Sequence, residues 1–500
     1  MAIERREAIM FVAGAALAAT RCHASTPYNL GQDDSDALIR IFADMAKTGR
    51  AVLSGRTYKV SKPLVIPPGV IEGGHAVFDF READPKDFPA GVCLLVKGAA
   101  RMKLPGLQRD LPIGTRTFRF TRPHGLAAGG AFQLSGTVDF AGNGARFYYR
   151  KGEMFRVAEV LDSVSIRVEK PCRDSYSAAG TEVWKRAGDR FTQECDSITV
   201  IGHDGIDYTA RFEGLDRSVI SNFRCENGKL GALFIDDCFQ LFGEDIRAWQ
   251  TASDGADPYG CVVSNSQDVT IRGECYGYFN GFTVGGGDPV HGKVGMNRDC
   301  HFHGKAGSHP IAGLSGGNLH GNCEYCSLNG AFSNGVSMGG DKNEAHGEFI
   351  KSGSPPIVLS EMHGHSFTIT GVLRTTGEAE LSEEVGALHQ TEYGTYARYG
   401  GVASVDLKMY VPNATRILVW RPLGLMRRDV DLRLRLDIME AHPKIRIAAL
   451  YKMTNSGHEL PSIEFDRLNL FDDRVPIRWA IGDGTRLTGP AVRTVLATRR

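Results

Sequence analysis

The sequence lacks an excess of charge of either sign, since Lys plus Arg and Asp plus Glu both number 58. A chain without net charge has no general field that attracts nucleic acid or an anionic membrane, so any attraction for a charged polymer must come from a local patch. Beyond the N-terminus no apolar run is long enough to cross a bilayer. No convincing P-loop, dinucleotide-binding or Gly-x-Ser-x-Gly motif is present. We therefore expect neither nucleic acid nor membrane insertion.

Metal-binding cysteine patterns are also scarce. Of the 11 cysteines, only Cys323 and Cys326 form a CxxC pair, and no second pair follows at zinc-ribbon spacing. The sequence therefore predicts no metal site built from cysteine, and it favours structural cysteines whose pairing it leaves open.

The N-terminus has the pattern of an export signal. Arg5-Arg6 precede an apolar run from Ala8 to Ala19, and Ala24 offers a small residue for cleavage. The paired arginines resemble a twin-arginine signal. Residues 1–24 are thus predicted to be a signal peptide, and the mature protein is predicted to be periplasmic or extracellular.

Glycine is abundant, with 60 residues, and this excess favours many tight turns and an all-β fold. Three segments share the pattern apolar-Thr-apolar-x-Gly and end at Gly202, Gly273 and Gly371. These glycines are 71 and 98 residues apart, close to three and four turns of a coil of about 24 residues. That period is typical of a parallel β-helix, in which each coil buries its apolar side against the next.

Further segments repeat with nearly the same period. A second row of strands is predicted in 280–286, 312–317 and 334–340. Cys275, Cys300 and Cys323 recur at nearly one coil each, which predicts a buried ladder of small apolar side chains.

The start of the predicted mature chain resembles the N-terminal motif of the pectate-lyase superfamily, which includes polysaccharide lyases, polygalacturonases and phage tailspikes. The matching segments are Asp33-Asp-Ser-Asp-Ala37, Gly55-Arg-Thr-Tyr-Lys-Val60, Leu64-Val-Ile-Pro-Pro-Gly69 and Gly73-Gly74. The resemblance implies an all-β, right-handed parallel β-helix whose open end is covered by a capping helix. Residues 34–36 suit the N-cap of that helix.

The domain boundaries follow from where the coil pattern begins and fades. Residues 25–99 are predicted to form the N-terminal cap and first coils, and residues 100–190, which lose the pattern, a small β insertion. The β-helix core is predicted over 191–385 and a C-terminal β region over 386–500, which closes the β-helix or packs beside it.

One candidate site lies in Ser253-Asp-Gly-Ala-Asp-Pro258, which resembles a catalytic segment of polygalacturonases. The resemblance makes Asp254 the catalytic carboxylate, with Asp257 beside it as a substrate-binding residue. It also places His309 near that family's Gly-His-Gly segment, so His309 is predicted to bind substrate as well. The Asp-Asp pair of the family is replaced by Phe279-Asn280. Inverting hydrolysis needs two carboxylates about 6.5–9.5 Å apart, so Asp288 or Asp237 would have to supply the second.

A second candidate site follows in Gly287-Asp-Pro-Val-His-Gly-Lys293 and continues to Arg298. A lyase needs a base and a cation that neutralises the uronate carboxylate. His291, Lys293 and Arg298 are therefore predicted catalytic residues, and Asp288 a substrate-binding residue. No cofactor is required, although Asp254, Asp257 and Asp288 could hold Ca²⁺. The acids Asp236-Asp237, Glu244-Asp245 and Asp341 to Glu344 are predicted to be solvated loop charges.

The leading hypothesis is a secreted enzyme that cleaves an acidic polysaccharide by β-elimination, acting as a monomer or homotrimer. An inverting glycoside hydrolase of polygalacturonase-like type and a non-catalytic glycan-binding β-helix remain alternatives.

Overall fold

A computed structural model describes much of the chain between residues 33 and 488. The described ranges are 33–98, 101–139, 149–186, 194–250, 258–286, 294–309, 313–351, 357–362, 366–375, 385–386, 389–391, 402–412, 416–420, 431–441, 446–449, 462–470, 478–481 and 486–488. The predicted signal peptide lies outside them. Asp33–Arg500 forms one compact unit. No helix of the described residues is long and apolar enough to cross a membrane.

The described residues form one α-helix, one short 3-10 helix and 36 strands. The helices are α1 (Ser35–Thr48) and Pro85–Asp87. The strands up to residue 201 are β1 (Arg50–Val52), β2 (Thr57–Lys59), β3 (Leu64–Ile66), β4 (Val70–Asp79), β5 (Val92–Lys97), β6 (Arg101–Lys103), β7 (Thr117–Arg119), β8 (Ala131–Asp139), β9 (Arg150–Asp162), β10 (Ser165–Val168), β11 (Thr181–Arg186) and β12 (Glu194–Ile201). The next are β13 (Tyr208–Glu213), β14 (Asp216–Glu226), β15 (Gly231–Asp236), β16 (Phe239–Trp249), β17 (Tyr259–Ser264), β18 (Gln267–Gly277), β19 (Asn280–Val284), β20 (Asn297–Ser308), β21 (Ser315–Leu319), β22 (Cys323–Glu324), β23 (Ser327–Ser333) and β24 (Val336–Gly340). The last are β25 (Asn343–Lys351), β26 (Ile357–Met362), β27 (Ser366–Thr375), β28 (Val385–Gly386), β29 (His389–Thr391), β30 (Val402–Val411), β31 (Arg416–Trp420), β32 (Asp431–Ala441), β33 (Arg446–Ala449), β34 (Ser462–Leu470), β35 (Arg478–Ile481) and β36 (Arg486–Thr488).

Two long parallel sheets make up the body of the molecule. Sheet A has 16 strands and runs from β1 through β4, β12, β14, β16, β18 and β20 to β36, whereas sheet B has 10 strands and runs from β3 to β29. The chain alternates between the two sheets, so that β16, β17 and β18 lie in sheets A, B and A. This alternation confirms the predicted all-β parallel β-helix. We call the turns after sheet A strands the A-to-B edge and the turns after sheet B strands the B-to-A edge.

Alternating side chains explain why these segments form coils. In β18 the side chains of Val269, Ile271 and Cys275 are buried, while Arg272 is exposed. The inward side chains of both sheets join one continuous apolar core from Leu38 to Ile438. No single coil could bury this surface alone, which is why the strands stack.

A ladder of glycines fixes the register of sheet A. Gly273, Gly304, Gly330, Gly347 and Gly371 are paired in consecutive strands. Their φ angles lie between 139° and 152°, where side-chain-bearing residues are rarely found. The glycines are 31, 26, 17 and 24 residues apart, because turns of different length join strands that keep one register.

The repeat motif that ends at Gly202 is out of step with this ladder. Thr199 pairs with Arg224, which pairs with Arg247, which in turn pairs with Glu274. Gly202 therefore lies four positions beyond the level of Gly273. The motif predicted the strand correctly but its register wrongly. The bulge in β16 between Gly243 and Ile246 changes the pairing by a single position and does not account for the offset of four.

The N-terminal end is covered by α1, as predicted. Leu38, Phe42 and Met45 are buried, and the rings of Phe42 and Phe78 meet edge to face with centroids 6.3 Å apart. Asp34 occupies the N-cap position but makes no side-chain cap hydrogen bond. Its carboxylate instead accepts hydrogen bonds from Arg56 (2.7 Å) and from the backbone N–H of Lys59 (3.1 Å), which ties the helix to the first coil.

Residues 101–186 form a separate antiparallel sheet in the order β6-β11-β8-β9-β10-β7. This insertion has its own apolar core, which includes Phe118, Phe132 and Phe155. Beyond residue 385, strands β30, β32, β34 and β36 continue sheet A in parallel. The repeat that fades in the sequence is therefore still present in the backbone.

The cysteines of the described residues are all buried and free, ten in number. They do not form the single predicted ladder, because Cys275 pairs in register with Ala306 and Cys300 with Val269. Burial raises the pKa of Cys93 to about 12, so its thiol stays protonated. These side chains fill the core as small apolar groups.

Candidate functional site

The insertion covers part of the B-to-A edge. The guanidinium Nε of Arg101 donates a hydrogen bond to Asp237 (2.9 Å), and the backbone N–H of Met154 donates to Gln267 (2.8 Å). Further along, the backbone N–H of Gly321 donates to the Tyr149 hydroxyl (3.2 Å). A polymer would therefore meet the insertion rather than the turns of these coils.

Arg298 lies at the centre of this interface. Its side chain is 1% exposed, and its Nε donates a hydrogen bond to the backbone carbonyl of Gly152 (2.9 Å). The other two guanidinium nitrogens pair with the carboxylates of Glu324 and Asp174. The structure thus places Arg298 between the insertion and the β-helix, where it is shielded from a polymer at the surface.

Glu153 of the insertion is buried beside this arginine. Its carboxylate accepts hydrogen bonds from the backbone N–H of Arg173 (3.0 Å) and from the Tyr176 hydroxyl (3.1 Å). Burial raises the pKa of Glu153, and the nearby charge of Arg298 opposes this increase only in part. A carboxyl group with a raised pKa resists ionisation in the folded state.

This raised pKa predicts how a Glu153→Gln variant will respond to pH. Because Glu153 ionises more readily in the unfolded chain, its contribution to stability is full below the unfolded pKa of about 4.3 and is lost as the pH rises through the raised folded value. Thermal unfolding from pH 4 to pH 7 should show the variant gaining stability relative to the wild type. Glu348→Gln, at a half-exposed position on sheet A, is the control, and a Glu153→Gln difference that is constant with pH would contradict the assignment.

The predicted lyase segment, with Asp288, His291 and Lys293, lies outside the described residues. Its described neighbours are Gly286, after β19, and Val294, before β20, so the segment joins sheet B to sheet A. Val294 is buried against Met154 of the insertion. The chain therefore enters and leaves this segment on the B-to-A edge.

The A-to-B edge carries surface aromatic side chains instead. Trp249 at the end of β16 and Tyr276 near the end of β18 are paired in register, and their rings stack with centroids 5.7 Å apart. Trp249 is 44% exposed. On the following turns, the rings of Tyr278 and His309 lie 4.7 Å apart. Aromatic faces of this kind suit the apolar faces of ring-shaped ligands with polar edges.

Strand alternation explains why these aromatic groups face outward. Ala248 and Cys275 are buried immediately before Trp249 and Tyr276, so the next side chain on each strand must point to the surface. In the two coils that follow, Gly307 and then Ser333 occupy the same row. The two large aromatic side chains are thus followed by small residues in the next two coils.

Asp254 and Asp257 lie outside the described residues, but the ends of their segment are on this edge. The backbone N–H of Gln250 donates to the Tyr276 carbonyl (2.8 Å), and the N–H of Phe279 donates to the carbonyl of Pro258 (2.8 Å). The segment that contains both acids therefore begins after Gln250, the residue that follows Trp249. Asp254 and Arg298, predicted together as catalytic residues, belong to parts of the chain anchored at different edges.

His309 is the predicted binding residue that the structure places on the A-to-B edge. Its backbone carbonyl accepts a hydrogen bond from Asn334 (2.7 Å), and its ring is partly exposed beside Tyr278. His301 and His303 face outward together on β20, as alternation requires. Burial lowers the pKa of His303, with help from the charge of Arg272, so this imidazole is mostly neutral at pH 7.

The acids Asp236 and Asp237 were predicted wrongly as solvated charges. Both are at most 1% exposed; Arg211 pairs with Asp236 (2.8 Å) and Arg101 with Asp237. Asp341, also predicted to be solvated, is 6% exposed. Sequence reasoning also missed Trp249, although its place two residues after Arg247 in an alternating strand was a usable signal.

No group of three or more His, Cys, Asp or Glu side chains that could hold a metal ion occurs within the described ranges. The acids named for Ca²⁺, Asp254, Asp257 and Asp288, lie outside those ranges, so that hypothesis stays a prediction.

Comparisons with known proteins agree with the fold. Residues 226–389 match the family described as Gp49, pectin lyase-like, and among curated proteins none matches the chain. The tailspike gp61 of Pseudomonas phage phi297 is similar in structure, with a TM-score of 0.65 at 16% identity over 87% of this chain and 76% of that one.

Two other tailspikes are similar. The Gp54 tailspike of Acinetobacter baumannii bacteriophage AP22, solved in complex with A. baumannii capsular saccharide, has a TM-score of 0.66 at 17% identity over 92% of this chain and 76% of that one. The tailspike gp49 of Pseudomonas phage LKA1 has a TM-score of 0.51 at 15% identity over 86% and 74%. At these identities the likeness concerns the fold, and it confirms the resemblance predicted from the sequence.

Proposed function

We propose that this chain, which has the pectin lyase-like parallel β-helix fold, is an exported protein that binds a polysaccharide along its A-to-B edge and cleaves it. The observation that carries the proposal is the stacked pair Trp249 and Tyr276 on an edge of the β-helix, next to the segment of Asp254. Consecutive coils present equivalent side chains about 4.8 Å apart, a spacing close to that of sugar units in a polymer. One tailspike with this fold is in complex with a capsular saccharide, which supports the same class of ligand here.

Cleavage by β-elimination remains the preferred chemistry in this proposal, with Asp254, His291, Lys293 and Arg298 as the predicted catalytic residues. The burial of Arg298 weakens its own part in it, because a catalytic cation must reach the substrate carboxylate. Hydrolysis is the second candidate, since the segment of Asp254 and Asp257 begins at the aromatic pair. A hydrolase would need a second carboxylate at water-admitting distance.

The reaction class is tested by incubating the protein with a panel of uronate-containing polysaccharides. Absorbance of an unsaturated product in the ultraviolet, together with new reducing ends, is the result expected for a lyase. Reducing ends without that absorbance would establish hydrolysis and overturn β-elimination. Retention of the protein in a polysaccharide-containing gel without either signal would leave a glycan-binding protein and overturn the proposed cleavage.

The place of binding is tested with Trp249→Ala. Loss of the stacking face should weaken binding to the polymer retained by the wild type by at least tenfold, a loss in the range of a buried aromatic anchor. Trp249→Phe should keep most of the affinity. Met102→Ala, which removes an equally exposed apolar side chain from the insertion, is the matched control. Full affinity in Trp249→Ala would move the binding site away from this edge.

A further inference from the structure

Two arginines stand side by side next to the exposed tryptophan. Arg224 on β14 pairs in register with Arg247 on β16, and the next outward pair in the same strands is Glu226 with Trp249. Ala248, between Arg247 and Trp249, is buried, so both of these neighbours face outward on one strand. Positions two apart on a strand are separated by about 7 Å, and adjacent strands by about 4.8 Å.

Within the described ranges, neither guanidinium of this arginine pair is hydrogen-bonded to a carboxylate. Arg224 is exposed and makes no hydrogen bond or ion pair within the described ranges. Among the described residues Arg247 has one ion-pair partner, Asp245 at 3.7 Å, and it pairs in register with Glu274 on the next strand. Its Nε is buried without a hydrogen-bond acceptor among these residues. Like charges in directly opposed positions are destabilising, so the pair has a cost that a bound anion would offset.

Three carboxylates border this pair, those of Glu226, Asp245 and Glu274. Glu274 is paired with Lys305 at 3.6 Å. The balance of charges around the pair is therefore close to even, and the edge would not collect polyanions by its general field. The pair is therefore suited to short-range recognition, in which a guanidinium group forms two parallel hydrogen bonds to one planar carboxylate.

We propose that Arg224 and Arg247 form a carboxylate subsite that selects an acidic sugar unit while a ring of the polymer stacks on Trp249. This inference rests on the proposed function and adds the residues that choose the substrate. The geometry supports it, because Arg247 and Trp249 face the same side of one strand, about 7 Å apart, so that one polymer can contact both side chains. Arg247 would then bind the carboxylate of the polymer, and Trp249 would stack on a sugar ring of the same polymer.

The test compares a polyuronate that the wild type retains with the same polymer after chemical reduction of its carboxyl groups. Affinities are measured by retardation in polysaccharide-containing gels. The wild type is expected to bind the acidic polymer at least tenfold more tightly than the reduced one. Arg247→Ala and Arg224→Ala should remove that preference, with Arg247→Lys keeping only part of it, because lysine cannot form the bidentate contact.

The control is Arg167→Ala, which removes an exposed arginine from the insertion, away from the A-to-B edge, and should leave both affinities unchanged. Equal binding of both polymers by the wild type, or equal losses on both polymers in Arg247→Ala, would overturn the subsite. If Trp249→Ala loses binding while the arginine variants do not, the proposed function stands and the subsite fails. If neither Trp249→Ala nor the arginine variants change binding, the binding edge itself is wrong.

Discussion

Gly330→Ala is expected to be among the most damaging small substitutions in this protein. A Cβ at this position would lie 1.8 Å from the carbonyl oxygen of Gly304, far inside van der Waals contact. The φ angle of 139° adds backbone strain for any residue with a side chain. Because the obstacle is backbone held by sheet pairing on both sides, it cannot move aside as a flexible side chain could. We expect a loss of about 4 kcal/mol or more in the free energy of unfolding.

Thermal unfolding followed by circular dichroism, together with the yield of soluble protein, measures this effect. Gly106→Ala is the matched control, since its Cβ would meet nothing within 4 Å and its φ is not in the left-handed region. That variant should be neutral or gain up to about 1 kcal/mol, because alanine reduces the entropy of the unfolded chain. If the Gly330→Ala protein has the same melting temperature as the wild type, the glycine ladder of sheet A does not hold the coils in register.

Arg298→Ala is expected to have the second largest effect, and this effect should be structural. Removal of the guanidinium leaves Glu324 without its ion-pair partner in a buried interface, and leaves Asp174 with only the half-exposed Lys151 at 3.9 Å. Breaking a buried ion pair by deleting one partner costs about 3–5 kcal/mol. The insertion should therefore dock less firmly, and the melting temperature should fall together with protection from proteolysis.

A compensated variant separates this structural role from the predicted catalytic one. Arg298→Met combined with Glu324→Gln and Asp174→Asn removes both signs of charge, and most of the stability should return. Arg374→Ala, whose partner Glu348 is about as exposed as itself, is the control and should cost no more than about 1 kcal/mol. If the compensated protein is stable and keeps its polysaccharide activity, Arg298 is not catalytic. If it is stable but inactive, the catalytic prediction is right.

The sequence by itself determined the architecture of this protein. Strand alternation, recurring glycines and an apolar helix after Asp33-Asp34 are local features, each of which needs only a few neighbouring residues to be recognised. They predicted a capped parallel β-helix, an insertion without the coil pattern and two rows of strands. They could not predict the register of the strands. A one-residue bulge in β16 changes the pairing, and the spacing of apolar residues in the sequence does not reveal it.

Only the tertiary structure decided which polar residues meet and which edge stays open. Arg298 is 124 residues from Asp174 and 146 from Gly152 in the sequence, and no local pattern links them. The sequence predicted Arg298 to be a catalytic cation and Asp236-Asp237 to be loop charges, but the docked insertion or an arginine from another strand buries them. Trp249 and Tyr276 show the opposite case, since they are 27 residues apart in the sequence and no local pattern links them. Stacking of two coils brings their rings together, and the insertion docks on turns of the other edge.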